Sequence, residues 1–240
     1  MAAACAATLP LAAVLTGCVS TQQIAARARL VSSRVLVSQS TIQVGQANPN
    51  VTVDRVALIH TRAGTAVVVS LRNDSSTTLT DLPISVGIVS GANHRVGLNG
   101  SANLDYFESH VAAVGRHSST TWVFTTGRRV TGGRPFARVG LPDLHPPTAA
   151  ALPRIDVSLR TEGSTQAGTN VGVRVSNQSG IPQYDLPVYV IAGRAGRDTA
   201  AGATELPHLG TRATTTANVT LLGAAKGAAL RLIAVPTIFR

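Results

Sequence analysis

The chain has 240 residues, which is the length of two small domains or of one large one. Hydrophobic residues make up 44% and charged residues only 13%, so the composition excludes an intrinsically disordered chain and a coiled coil. The formal net charge of +10 suits nucleic acid, anionic lipid or an acidic wall polymer, and composition does not choose among these partners.

The first segment of the chain has the pattern of an export signal. Residues 2–15 carry no charge and consist mainly of small and aliphatic residues, which is the length of a signal-peptide apolar region and is short for a membrane span. Leu15-Thr16-Gly17-Cys18 follows at once. This pattern resembles the lipobox of bacterial lipoproteins. The resemblance implies cleavage before Cys18, attachment of a diacylglyceryl group to its thiol, and anchoring at the extracytoplasmic face of the cell membrane.

Two other interpretations of this segment stay open, an ordinary secretory signal and a short buried helix in which Cys18 has no special role. The cysteine count favours lipidation, because the only other cysteine, Cys5, lies in the part that would be removed. A mature chain that begins at Cys18 would have no disulfide, no thiol nucleophile and no cysteine-ligated metal.

The body of the chain contains an internal repeat. Residues 64–86 align without a gap on residues 168–190, and ten of the 23 positions are identical. The identities include one Asn and one Asp-Leu-Pro triplet in each copy. The first alignment pairs residues that are 104 positions apart, whereas later matches such as Gly115 with Gly210 are 95 positions apart, which is nine fewer. This shift predicts that the copies differ mainly by a loop inserted in the first.

Each copy is predicted to consist of β-strands. Apolar residues alternate along residues 65–71 and 170–175, and turn-forming residues follow both runs. The proline of each Asp-Leu-Pro triplet favours an extended start to the next strand. About six or seven short strands in about 90 residues is typical of an immunoglobulin-like sandwich. The predicted fold class is therefore all-β, with two tandem immunoglobulin-like β-sandwich domains after an N-terminal signal segment.

The chain is predicted to have five parts. They are a lipoprotein signal peptide (1–17), a tether or leader (18–50), a first immunoglobulin-like domain (51–141), a proline-rich linker (142–153) and a second immunoglobulin-like domain (154–240). Within the leader, residues 22–37 carry arginines among apolar residues. Three interpretations of them stay open: one or two basic helical turns, an extension of the first sheet, or a flexible tether. The two domains are expected to fold separately.

Each copy also resembles the small immunoglobulin-like modules of bacterial surface proteins, namely the CARDB (cell-adhesion-related) and FxLYD-type domains. A strand that ends in Asn is followed by an Asp-Leu-Pro segment, and a turn at Gly115 or Gly210 precedes a Thr-rich strand. The likeness covers residues 51–142 and 153–238. It implies an all-β fold and a role at the cell surface, and it carries over no catalytic or ligand residues.

The sequence contains no motif that points to catalysis or to a metal site. The six histidines lack the spacing of helical or strand zinc ligands, and His110, His117 and His208 lie near predicted turns. No nucleophile elbow occurs, and residues 193–197 are not spaced to hold a phosphate. The protein is therefore predicted not to be an enzyme and to need no cofactor. A hydrolase assembled from residues distant in sequence ranks third among the possible functions.

Two aromatic residues are candidates for binding a partner. Tyr106 and Phe107 lie in the predicted inserted loop, beside Asp105 and Glu108. Aromatic residues concentrated on a loop commonly serve recognition. The alternative is that both rings fold back and cap their own sandwich.

Arginines form a second group of candidates. They cluster at Arg128 and Arg129, close to two further arginines in the same region, and at Arg194 and Arg197. Guanidinium groups suit the phosphates or carboxylates of a wall polymer or a lipid, whereas the alternative is a solvated rim on an Arg-rich protein. Nucleic acid is not an expected partner, because neither a stacking platform nor a recognition helix is predicted.

The predicted function is that of a membrane-anchored cell-surface lipoprotein, a non-enzymatic interaction or assembly module of the bacterial envelope. Its expected partners are the membrane, through the lipid anchor, and an envelope protein or an anionic wall polymer. The alternative is an exported accessory subunit that presents a glycan or peptide ligand to an enzyme or transporter. An assembly module should have a flat exposed patch or an unpaired edge strand, whereas a ligand-binding subunit should have a concave pocket with convergent polar groups.

Overall fold

The structure, a computed structural model, describes most of the chain beyond the N-terminal segment. The described residues are 24–25, 27–29, 31–32, 44–91, 94–101, 104–142, 148, 150–165 and 168–238. The predicted signal peptide and Cys18 lie outside them. The described leader residues between 24 and 32 are helical, as one of the three interpretations of the leader expects.

The first half of the chain forms two antiparallel sheets. Its elements are β1 (Val51–His60), β2 (Thr65–Asn73), β3 (Leu79–Ser90), β4 (His94–Gly97), the helix α1 (Tyr106–Ser109), β5 (His110–Val114), β6 (Ser119–Thr126) and β7 (Arg134–Val139). One sheet has the order β1-β2-β6, and in the other β3 pairs with β4, β5 and β7. Alternate side chains of β2 and β6, such as Val69 and Trp122, are fully buried between these sheets.

The second half forms one six-stranded antiparallel arrangement. Its strands are β8 (Ile155–Thr165), β9 (Gly168–Asn177), β10 (Gln183–Arg194), β11 (Arg197–Leu209), β12 (Thr214–Gly223) and β13 (Ala229–Ala234), in the order β13-β10-β11-β12-β9-β8. The order β8-β9-β12 repeats β1-β2-β6. The long strand β11 occupies the place of β4 and β5, which a loop and α1 separate in the first half. The all-β prediction is confirmed, whereas separate immunoglobulin-like domains stay a prediction.

The repeat extends to individual hydrogen bonds. The side-chain amide of Asn73 donates to the carbonyl oxygens of Thr77 (2.7 Å) and Gly115 (3.0 Å), and its Oδ1 accepts the backbone N–H of Ser75 (3.0 Å). Asn177 makes the equivalent bonds to Ile181, Gly210 and Ser179 at 2.8, 3.0 and 2.9 Å. Each asparagine is buried, so one side chain joins the turn after β2 or β9 to the turn before β6 or β12.

The two Asp-Leu-Pro triplets lie inside strands. Asp81 and Asp185 have backbone φ angles of 52° and 49°, a left-handed conformation that Asp tolerates better than most residues. At each aspartate the antiparallel register is irregular, since the Cα partners pass from Thr80 to Leu82 in β3 and from Tyr184 to Leu186 in β10. This finding corrects the expectation that the triplet begins a strand. The repeated element is a backbone irregularity within β3 and β10.

The two halves pack against each other through apolar side chains. Tyr189, Ile191 and Ala201 of the second half are buried in the same hydrophobic cluster as residues of β2 and β6 in the first half. Gly223 lies so close to Ile59 that a Cβ at this glycine would be 2.8 Å from the Ile59 Cγ2 atom. The strands β2 and β10 are therefore buried on both faces.

Polar contacts also connect the halves. The carboxylate of Asp198, whose side chain is only 5% exposed, pairs with Arg55 of the first half and with Arg231 (3.0 Å) of the second. In the predicted linker, Thr148 exchanges backbone hydrogen bonds with Thr78 at 3.0 and 2.6 Å. This part of the linker is thus attached to the first half.

Candidate functional site

The predicted anchor residue, Cys18, lies outside the described residues, so its lipidation stays a prediction. In the part of the chain that the structure describes, no helix has both the length and the apolar character needed to cross a membrane. The guanidinium of Arg27 lies over the ring of Tyr184, 4.2 Å from its centroid, and this ring stacks on His208 at 4.9 Å. The leader therefore contacts the second half of the chain.

Tyr106 and Phe107 are buried, with exposed fractions of 8% and 4%. The Tyr106 ring stacks on His110 with centroids 4.1 Å apart and meets Phe107 edge to face at 5.1 Å. The carbonyl oxygen of Phe107 accepts a hydrogen bond from the Trp122 indole (2.9 Å). Because burial removes these large rings from water, they cap their own core. This is the arrangement that the alternative interpretation of the loop expects, and a role of the two residues in binding a partner stays a prediction.

The predicted arginine clusters lie at two turns. Arg128 and Arg129 follow β6, where the Arg129 guanidinium donates to a carbonyl oxygen of the β1–β2 turn (2.6 Å). Arg194 and Arg197 flank the β10–β11 turn, and Arg194 donates to the carbonyl oxygen of Lys226 (2.6 Å). All four side chains are exposed. These contacts orient part of each cluster, and the binding of anions stays a prediction.

The histidines near predicted turns have structural contacts. His110 begins β5 and is fully buried, with Nδ1 at 3.0 Å from the Ser109 hydroxyl. His117 has a φ of 45° in the turn before β6, and His208 stacks on a tyrosine. Across the described residues, no group of three or more His, Cys, Asp or Glu side chains could hold a metal ion.

An open cleft with a volume of about 100 Å³ lies between the two halves. Residues of α1 and of the outward side of β6, including Phe107 and Val123, line it from the first half. Tyr189 of β10 and Glu205 of β11 line it from the second half. Tyr189 pairs with Ala203, two residues before Glu205, so both side chains belong to the same face of the sheet. The sequence patterns did not predict this cleft.

The cleft is acidic, since Asp105, Glu108 and Glu205 all line it. Burial raises the pKa of the Glu108 carboxyl above its usual value of 4.5, because desolvation disfavours the charged form. A hydrogen bond from the Asp105 backbone N–H (3.1 Å) opposes this shift, and the Asp105 charge adds to it. Burial also raises the pKa of the Tyr189 hydroxyl, and the charge of Glu205 contributes.

A polar face forms the outward side of β8, β9 and β12. Its exposed residues on β12 are Thr214, Thr216, Asn218 and Thr220, which alternate with buried apolar residues further along the strand. Thr220 donates to Asn170 of β9 (2.6 Å), and Arg160 of β8 donates to Thr216 (3.0 Å). The outer side of β8 pairs with no other described strand. The polar face is thus an exposed surface that ends at an open sheet edge.

No family model matches the chain, and no curated protein matches it. Function is therefore inferred from the contacts of this chain alone. Two features of the described residues bear on it. The open edge of β8 corresponds to the unpaired edge strand expected of an assembly module, and the cleft corresponds to the concave pocket expected of a ligand-binding subunit.

Proposed function

We propose that this protein is a non-enzymatic interaction module of a bacterial envelope, anchored to the extracytoplasmic face of the cell membrane by a lipid on Cys18. The main support for this proposal is the polar face. It presents hydroxyl, amide and guanidinium groups on a sheet surface whose edge strand is open, and such a surface can dock a partner without a pocket.

Tandem immunoglobulin-like sandwiches are the proposed architecture. The matching strand orders β1-β2-β6 and β8-β9-β12 support it, as do the equivalent hydrogen bonds of Asn73 and Asn177. In each half, these three strands are accompanied by strands built around β3 or β10. Rigid modules of this kind suit a surface that must hold its shape outside the cell.

An anionic envelope component is the proposed partner. The polar face includes the exposed cations Arg160 and Arg174, and the chain as a whole carries a formal net charge of +10. Attraction of an acidic polymer or an acidic protein surface follows from this charge. The exposed pairs at Arg128 and Arg194 would add to the same attraction.

The alternative function is an exported accessory subunit that binds a ligand and presents it to an enzyme or a transporter. The cleft favours this alternative, because residues of both halves converge there around an apolar floor. The two functions are compatible on one molecule, since the polar face and the cleft use different strands and different faces.

Cys18→Ser is expected to release the protein from the membrane fraction and to abolish its labelling by a radioactive fatty acid, because serine has no thiol to accept the diacylglyceryl group. Membrane fractionation and labelling of intact cells measure both effects. Cys5→Ser is the matched control, since Cys5 lies in the segment that would be removed. Unchanged membrane recovery and labelling of the Cys18 variant would contradict the lipid anchor.

A photoreactive amino acid at Thr216 is expected to give a discrete cross-linked product in intact envelopes, because Thr216 lies exposed on the polar face. The same amino acid at Gln46, which is exposed in the segment before β1, is the control. Gel mobility after irradiation compares the two. Identical products from both positions would show that the polar face has no special role in capture.

A further inference from the structure

We propose that the leader helix lies in the headgroup region of the membrane and holds one end of the second half beside the lipid surface. The leader helix is the helical segment whose described residues lie between 24 and 32. This inference deepens the proposed function and rests on it for the lipid on Cys18. It adds a second membrane contact, made by side chains, which the lipid anchor does not itself require.

The leader helix presents an apolar stripe to its surroundings. Ile24 and Val31 are 57% and 39% exposed. They are seven positions apart, which is about two turns of a helix, so both lie on the same face, separated by about 10 Å along the helix axis. Ala28, which is also exposed, lies between them on that face. An exposed stripe of this kind is suited to meet another apolar surface.

Large apolar side chains are rarely exposed elsewhere in the described residues. Those that are exposed number five, namely Ile24, Val31, Leu141, Leu159 and Ile181. Two belong to the leader helix, and Ile181 lies three positions before Tyr184, whose ring the leader contacts through Arg27. Three of the five therefore lie in the region where the leader meets the second half.

The reach of the chain identifies the membrane as the surface that the stripe meets. Ile24 follows Cys18, the proposed lipid site, by six positions. A segment of this length spans at most about 20 Å, so Ile24 stays within that distance of the lipid whatever conformation the intervening residues have. The apolar face of an interfacial helix enters the boundary between headgroups and acyl chains by about 5–10 Å. Anchoring of Cys18 therefore keeps the stripe within reach of this boundary.

Cations accompany the exposed apolar residues. Arg27 and Arg29 are exposed on the leader helix, and Arg212 is exposed in the β11–β12 turn. The backbone N–H of Arg212 donates to the carbonyl oxygen of Ser179 (3.2 Å), so this turn lies beside the β9–β10 turn, which carries Ile181. Guanidinium groups bind lipid phosphates, and an anionic membrane surface attracts basic residues close to it. The charges therefore favour the same surface as the apolar stripe.

The contact between Arg27 and Tyr184 connects the leader helix to the second half. The Arg27 guanidinium lies 4.2 Å from the centroid of the Tyr184 ring. This ring is buried and stacks on His208 near the end of β11, so its position is fixed by the second half. A leader helix that lies on the membrane therefore brings the β9–β10 and β11–β12 turns close to the lipid.

Reactivity of introduced cysteines tests the insertion of the stripe. Ile24→Cys and Val31→Cys are made in the full-length protein and exposed, in the membrane fraction, to a membrane-impermeant maleimide. Ala25→Cys and Ser32→Cys are the matched controls, because each is exposed and lies about 100° around the helix from its neighbour in the stripe. Both stripe positions are expected to react at least about fivefold more slowly than their controls, since lipid shields them. Detergent is expected to remove the difference.

A photoreactive amino acid at Ile181 tests the position of the second half. In cells grown with radioactive phosphate, it is expected to cross-link labelled phospholipid, whereas the diacylglyceryl group on Cys18 contains no phosphate. Arg27→Gln is expected to reduce this product about threefold, because glutamine has no charge to place over the Tyr184 ring. Arg29→Gln removes the same charge from the same helix and is expected to leave most of the product.

Four results would overturn the proposal. They are equal reactivity of stripe and control cysteines, protection that persists in detergent, absence of phospholipid from the Ile181 product, and equal loss of that product in the two arginine variants. Persistent protection would mean that a second copy or another protein covers the stripe.

This inference and the lipid anchor fail separately. Equal cysteine reactivity in a protein that carries fatty acid on Cys18 would contradict the inference and leave the anchor standing. Unchanged membrane recovery and labelling of the Cys18→Ser variant would contradict the anchor, whatever the maleimide shows.

Discussion

Ile191→Ala is expected to lower the free energy of unfolding by about 3 kcal/mol, because Ile191 is fully buried and its truncation leaves a cavity between the two halves. The decisive measurement uses Trp122, the single tryptophan of the chain, which lies in the core of the first half. If the halves unfold as one unit, tryptophan fluorescence and circular dichroism will report the same lowered urea midpoint, although the substitution lies in the second half.

Leu159→Ala is the matched control, since this leucine is in the same half and is 50% exposed. Its expected effect is within about 0.5 kcal/mol. A Trp122 midpoint that stays at the wild-type value in the Ile191 variant would contradict cooperative unfolding. That result would instead support the expectation, drawn from the repeat and the linker, of two separately folding domains.

Asn73→Ala is expected to lower the free energy of unfolding by about 3 kcal/mol. The substitution removes donors from the carbonyl oxygens of Thr77, Val114 and Gly115 and an acceptor from Ser75, and each lost hydrogen bond of a buried group costs about 1 kcal/mol. Urea denaturation followed by circular dichroism measures the effect.

Asn177→Ala tests the repeat, because its side chain makes equivalent bonds and should cost a similar amount. Asn218→Ala is the control, since Asn218 is exposed on the polar face and its expected effect is within about 0.5 kcal/mol. A loss below about 1 kcal/mol in both buried variants would contradict the structural role of the asparagines.

The packing of the halves has a consequence for function. Because β2 and β10 are buried on both faces, and Asp198 pairs with arginines from both halves, the two copies of the repeat are held in one relative position. The cleft depends on that position, since Glu108 and Glu205 belong to different halves.

Part of the cleft had a signal in the sequence. The group that begins at Asp105 and ends at Glu108 was a candidate because acids and aromatics are scarce in this chain. Its two components separate in the structure, because the apolar rings turn into the core while the carboxylates stay at the surface of α1. No sequence pattern marked Tyr189 or Glu205 as part of a site. Tyr189 lies between two valines of a predicted strand, and Glu205 belongs to no motif.

The all-β character of the protein was determined by the sequence alone, because alternation, turn residues and the repeat are local properties of the chain. The repeat also located the equivalent asparagines and the loop inserted in the first copy. Tertiary structure alone decided which face of each strand meets the other half. Alternation separates the two faces of a strand, but it cannot tell that both become buried, as in β2 and β10, when two sheets pack together. The cleft arises from that packing, and no local pattern encodes it.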